Sequence, residues 1–311
     1  MPTRKVINWQ LPMKRVLYAL APIMVASVYF FGWRALVMLA LCNAAGFATE
    51  YAFTRNWKQP VSSAVFVTSC LFALSLPPTL PYWMAVVGMV FGLTFGKMVF
   101  GGFGKNVFNP ALTGRAFIYV SFGSHMTGQW ADPVGGLLGG FSAYAPDAIT
   151  RATPGMLLKT GEAFGTLSLF LGNVSGTLGG TSALLALAGG AYLVWKKAAN
   201  YRIVYSAIAG YLLMQTLLWL AVDGVSPLQG FLAGSIVIGF FFYATDPVSA
   251  SMTNEGRWLY GALVGIMTSL IAAFSSWPAG TMFAILLANM FAPITDHAVR
   301  EIRKMKKAAK A

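Results

Sequence analysis

Long apolar stretches, each near the length that crosses a bilayer, alternate along the chain with short polar intervals rich in lysine, arginine, glycine or proline. The pattern predicts about ten transmembrane helices, over 16–33, 35–53, 61–76, 82–100, 111–126, within 163–195, and over 203–222, 228–244, 259–274 and 279–291. The sixth interval is too long for one upright helix, and a glycine-rich run at 172–180 interrupts it. A short half-helix followed by a true span is expected there. The fold class is therefore an all-α integral membrane protein, one polytopic domain over 1–311. Its longest polar interval is the loop 127–160.

Composition agrees with this reading. The chain is 57% hydrophobic and only 10% charged, against about 25% charged residues in soluble domains. A net charge of +13 could mark a nucleic-acid binder, but the basic residues lie in short segments between apolar runs. That is the distribution of orientation signals, so membrane lipid is expected as the surroundings and nucleic acid is excluded. Of the 22 Lys and Arg residues, all but Arg34, Arg115, Arg151 and Lys159 fall on one side of the ten-span topology or at its edges. Both termini are thus expected in the cytoplasm, with the loop 127–160 outside. No cleavable signal peptide is expected, because the first apolar stretch is followed by many more. Cys42 and Cys70 fall inside predicted helices without ligand spacing and read as buried thiols. No metal site is predicted.

Four stretches carry candidate chemistry. In the outer loop, Asp147, Thr150, Ala152 and Thr153 form an Asp-x-x-Thr-x-Ala-Thr pattern between Pro146 and Pro154. It resembles the acceptor signature of flavin transferases, which join the phosphate of FMN to the last threonine. The hydroxyl attacks the FAD pyrophosphate and displaces AMP. The alternative is a polar loop in which Asp147 and Thr150 make turn hydrogen bonds. Between the fourth and fifth spans, the turn 101–110 holds three glycines together with Asn106 and Asn109. It reads either as a ligand-binding turn or as a capped start to the fifth helix. Arg115 lies in that helix and is either functional or snorkels to the interface. After the eighth span, Asp246 with Thr245, Ser249 and Ser251 offers oxygen ligands for a cation, or a cap for the ninth helix.

With these segments in view, the chain resembles the NqrB/RnfD family over nearly its whole length. These are membrane flavoprotein subunits of the sodium-pumping NADH:quinone oxidoreductase and of the Rnf ferredoxin:NAD electron-transport complex. The resemblance implies two inverted five-helix repeats with broken half-helices, similar to urea transporters. It implies covalent FMN on Thr153, with Asp147, Thr150 and Ala152 completing the acceptor, where Arg151 replaces a glycine common in the family. It places Asn106 and Asn109 near a second, non-covalent riboflavin. Other subunits of a multi-subunit redox complex and a flavin transferase are the implied partners, and a bacterial inner membrane is the implied location. The short N-terminus looks more like RnfD than NqrB, so an Rnf-type complex moving Na⁺ or H⁺ is the function expected. An NqrB-like subunit, or a urea-channel-like transporter, is the alternative. No dinucleotide fingerprint, P-loop or catalytic triad is present in the sequence. Oxidation of NADH or ferredoxin is accordingly expected of other subunits, and no catalytic residue is assigned.

Overall fold

The computed structural model describes residues 6–146, 153–161, 164–222, 224–233, 235–275 and 280–309. A two-residue strand, β1 (Ile7–Asn8), leads into α1 (Leu11–Phe31), with Pro12 in the first turn, where its missing N–H costs nothing. Gly32, with φ +80° and ψ −178°, separates α1 from α2 (Trp33–Asn56). The Ala143 and Tyr144 carbonyls accept hydrogen bonds from the Trp33 and Arg34 amides at 3.2 and 2.7 Å. The outer loop thereby caps α2. A Cβ at Gly32 would fall 2.7 Å from both of those oxygens. Gly32→Ala therefore combines a glycine-only backbone conformation with a backbone clash. It is expected to cost about 1–3 kcal/mol, read as a lower thermal midpoint in detergent, whereas Gly123→Ala, with open space around it, serves as the neutral comparison.

Next come β2 (Val61–Ser62), paired in parallel with β1 in the register Ile7 to Val61, and α3 (Ala64–Leu74). Then follow α4 (Tyr82–Leu93), which continues into a π-helical turn (Thr94–Met98), α5 (Pro110–Ser121) and α6 (Gly123–Thr127). Beyond the outer loop lie α7 (Pro154–Leu157), extended by a 3₁₀ turn (Leu158–Thr160), α8 (Thr166–Leu171) and α9 (Ala183–Trp195). The remainder comprises α10 (Tyr201–Val222), α11 (Pro227–Leu232), α12 (Ile236–Ile238) with a second π-helical turn (Gly239–Tyr243), α13 (Asn254–Phe274) and α14 (Gly280–Ala308). α10 packs along α13 and α13 along α14, while α2, α3, α4 and α5 form a second group and α1 lies against α9. Glycines permit the closest of these approaches. Gly261 and Gly265 of α13 meet the Ile203 and Ala207 carbonyls of α10 with no room for a side chain.

Among the described residues, five helices, α1, α2, α10, α13 and α14, are long and apolar enough to cross a membrane, and three shorter apolar ones occupy 64–74, 82–98 and 183–195. The chain is a multi-pass membrane protein. Hydropathy marks where the chain is apolar, whereas helix continuity depends on backbone geometry, and the two differ here. The third apolar interval holds only an 11-residue helix, the fifth breaks at Phe122, and the eighth divides into α11, α12 and a π turn. As expected, 163–195 holds a half-helix, α8, before α9. The unwound chain between them donates from Leu178 and Gly179 to the Leu76 and Leu74 carbonyls at 3.0 and 2.7 Å. Two broken segments thus satisfy each other's backbone groups, as irregular chain at membrane depth requires. α13 starts earlier than the predicted 259, because Thr253 caps it through the Gly256 amide and Glu255 sits in its first turn.

Candidate functional site

Thr153 is described, whereas Asp147, Thr150, Arg151 and Ala152 lie outside the described residues. It occupies the N-cap position of α7 in extended conformation, and its carbonyl accepts from the Met156 and Leu157 amides at 2.9 and 3.0 Å. A capping threonine ordinarily spends its hydroxyl on a free amide of the first turn. Here Oγ1 makes no hydrogen bond among the described residues, although the side chain is only 9% exposed. Leaving such a group buried and unpaired costs about 1–3 kcal/mol, so it calls for an explanation. The helix that Thr153 opens forms one wall of a cavity of about 260 Å³, through Gly155, Leu158 and Lys159. The other walls come from α10, α11, α13 and the start of α14, with Gln215, Ser235 and Thr281 supplying polar groups. Lys159 reaches the Ser275 carbonyl at 3.1 Å from an exposed position at the mouth. The surrounding protein still removes enough water to hold its ammonium pKa below the ordinary lysine value.

A second cavity, of about 400 Å³, lies at the end of the molecule that carries Gln10, Lys97 and Lys197. It brings together two stretches that the sequence offers separately, with Asn106 and Asn109 on one wall and Thr245 and Asp246 on another. Each of these stretches follows directly on one of the two π-helical turns, a form of helix often found at functional sites. Gly101, Gly102 and Gly104 have φ of +104°, +91° and +90°, the conformations for which glycine is suited. The two asparagines differ. Asn109 caps α5, its Oδ1 accepting from the Ala111 and Leu112 amides, and its Nδ2 donates to the Tyr243 carbonyl at 3.2 Å. Both ends of its side-chain amide are thus engaged. Asn106 donates to the Phe108 carbonyl at 3.1 Å, and its Oδ1 accepts no hydrogen bond among the described residues.

Asn289, not singled out in the sequence, locks this wall. Its Oδ1 accepts from the Asn109 amide, and its Nδ2 donates to the Ser249 carbonyl and the Tyr260 hydroxyl. Asp246 accepts from Ser249 Oγ at 2.6 Å and from the Val248 and Ser249 amides, so it organises its own turn and does not cap α13. Ser251 is turned away toward Asp296, which also binds the Met252 and Thr253 amides. Arg115 does not snorkel. It is 4% exposed inside α5, near Tyr119 and Tyr243, and its Nε has no hydrogen-bond partner among the described residues.

The structure also holds a pair that sequence reading missed. Glu50 of α2 and Lys97 of the first π turn meet at 2.6 Å, each only 2% exposed. The second oxygen of Glu50 accepts from the Ser62 amide of β2 at 3.0 Å. Lys97 faces the second cavity, and Glu50 faces a smaller one beside it. The signal available in the sequence was one acid and one base, each alone in an apolar run, which need partners at membrane depth.

Comparison with known proteins adds a lineage to this geometry. The chain is 41% identical over 257 residues to the NqrB subunit of the Na⁺-translocating NADH-quinone reductase of Ectopseudomonas mendocina, covering 80% of this chain and 63% of that protein. It is 36% identical over 298 residues to the corresponding subunit of Neisseria meningitidis serogroup B, covering 92% and 70% respectively. For the Pseudomonas aeruginosa counterpart the identity is 40%, with 80% and 63% covered. The chain thus spans about two thirds of the length of these relatives, at 63% of the first. A match to a single family extends over residues 3–304, taking in both cavities, Thr153 and the Glu50–Lys97 pair, and on that evidence the chain belongs to the NQR2, RnfD, RnfE family.

Proposed function

We propose that this chain is a membrane-embedded flavoprotein subunit of an ion-translocating oxidoreductase, of the NADH-quinone reductase type. The Rnf-type assignment expected from the sequence gives way here, because the relatives just described are named as NqrB subunits of a Na⁺-translocating NADH-quinone reductase. The observation that carries the reading is the buried, unspent hydroxyl of Thr153 beside a cavity. Thr153 would hold FMN as a phosphoester, with Asp147, Thr150 and Ala152 completing the sequence that a flavin transferase reads. A bound flavin passes electrons one or two at a time and so joins two-electron to one-electron carriers. The chain's own task is to fix the cofactor, shape its surroundings and exclude water. The basic end is assigned to the cytoplasm of a bacterial inner membrane, with Thr153 on the far side, and partner subunits supply the oxidation of NADH. Two five-helix halves of inverted topology belong to the same proposal, supported by the broken helices at α8–α9 and α11–α12.

The second cavity, at about 400 Å³, lies within the range of about 300–1,000 Å³ of small-molecule sites. It would take the dissociable riboflavin. Asn106 offers a free amide oxygen to the ring edge, while Asn109 holds the turn that presents it.

Purified from a host that supplies flavin and a flavin transferase, the protein is expected to be yellow. Its band should fluoresce after denaturing electrophoresis, and acid should release a further, dissociable flavin. A colourless band overturns the proposal. Asn106→Leu is expected to lower the acid-released flavin and leave the fluorescent band unchanged. Acid-released flavin equal to that of the unmodified protein would remove Asn106 from the second site.

A further inference from the structure

Three basic residues, Arg34, Arg151 and Lys159, fall on the outer side of the predicted topology, while Arg115 lies within the fifth span. Of the three, Arg34 is already engaged, donating to the Pro78, Thr79 and Leu80 carbonyls at 2.9, 3.3 and 2.8 Å and lying over the Tyr82 ring. Arg151 is outside the described residues. Lys159 makes one hydrogen bond, to the Ser275 carbonyl, and no carboxylate pairs with it among the described residues. It is also the one charged residue among the described residues that line the cavity beside Thr153.

The dimensions are those of a ring site. At about 260 Å³ the cavity is below the range of about 300–1,000 Å³ that encloses whole cofactor-sized ligands. It suits a flat ring whose chain stays outside. Lys159 follows Thr153 by six residues, along α7 and the 3₁₀ turn that extends it. At about 1.5–2 Å of rise per residue, this separates the two by roughly 9–12 Å, a length of the order of a phosphoribityl chain. Attachment at Thr153 and a cation at Lys159 would therefore stand at the two ends of one tethered cofactor.

We infer that Lys159 is the positioning cation that faces the ring of a flavin held on Thr153 and stabilises its reduced form. This rests on the attachment proposed above. The oxidised ring is neutral. It takes up two electrons and one proton, the proton going to N5, and the product carries one negative charge over N1 and the C2 carbonyl. A fixed cation at that edge lowers the energy of the charged product and leaves the neutral form nearly unaffected. Such an interaction counts for more against an apolar wall than in water.

The test is a potentiometric titration, with dithionite as reductant, of the purified protein and its Lys159→Gln and Lys159→Arg variants. The covalent component is identified as the one missing from Thr153→Ala. Glutamine can still donate to the Ser275 carbonyl, so the structural bond is retained while the charge is lost. All three proteins are expected to keep the fluorescent band. Lys159→Gln should weaken the preference for the reduced state at least tenfold, a fall of about 30 mV for a two-electron couple, and Lys159→Arg should stay at the unmodified value. An unchanged midpoint in Lys159→Gln, with covalent flavin present, overturns the role of Lys159 and leaves attachment at Thr153 standing. A fall shared equally by the arginine variant also overturns it, since charge would not be the cause. Absence of covalent flavin from the unmodified protein overturns the attachment reading itself.

Discussion

Thr153→Ala is expected to abolish covalently held flavin while leaving the protein folded and inserted. The substitution removes a hydroxyl that makes no hydrogen bond among the described residues, so no partner is left unsatisfied and a buried polar burden of about 1–3 kcal/mol is relieved. The lost methyl group costs about 0.8 kcal/mol, so the net effect runs from near zero to a gain of about 2 kcal/mol. The thermal midpoint in detergent should therefore not fall, while fluorescence of the denatured band disappears. Thr153→Ser keeps the nucleophilic oxygen and should retain fluorescence. A fluorescent Thr153→Ala band would place the attachment on another residue. Loss of both fluorescence and fold would show that the hydroxyl is structural.

Lys97→Met should be the most destabilising of these substitutions. The lysine and Glu50 are both 2% exposed and meet at 2.6 Å, so neutralising one strands the other as a buried charge. Breaking such a pair from one side costs about 3–5 kcal/mol. Replacing both members is far milder, because the desolvation of two charges is then avoided together with their attraction. Glu50→Gln combined with Lys97→Met keeps an acceptor for the Ser62 amide, which Glu50 holds at 3.0 Å. The double variant is expected to recover most of the thermal midpoint lost by Lys97→Met alone. Equal midpoints for the single and double variants would mean that the pair contributes nothing as a pair. Because Lys97 also lines the cavity that holds Asn106, the dissociable flavin proposed for that cavity should fall in both variants.

The two sets of variants separate what the two cavities do. One cavity adjoins the helix opened by Thr153, and the other lies between the 101–110 turn and Asp246. Asn289 ties the second wall together through contacts to three other segments. A substitution there would act on the fold of the site before acting on its ligand, so Asn106, with an uncommitted amide oxygen, is the better probe of binding.

By itself the sequence determined whatever depends on local chemistry. Apolar runs of bilayer length placed the helical intervals, because burial in lipid depends on composition over a window and needs no partner. The glycine-rich run at 172–180 announced the break between α8 and α9, and Gly101, Gly102 and Gly104 announced a turn with positive φ. The Thr153 pattern was legible because the acceptor proposed for a flavin transferase is a linear segment and needs no tertiary partner to be recognised in the sequence. Tertiary structure alone decided the partners. Glu50 and Lys97 are 47 residues apart, and Asn109 and Asn289 are 180 apart. Periodicity assigns a residue to a face of a helix but does not say which helix that face will meet. Hydropathy likewise overestimated continuity, since an apolar interval such as 228–244 can be filled by two short helices and a π turn once neighbouring chain satisfies the free backbone groups. The distinction between Asn106 and Asn109 arose in the same way. Both are asparagines in one turn, and only the second has its Oδ1 committed to capping α5 while its Nδ2 donates to the Tyr243 carbonyl and its backbone amide to Asn289.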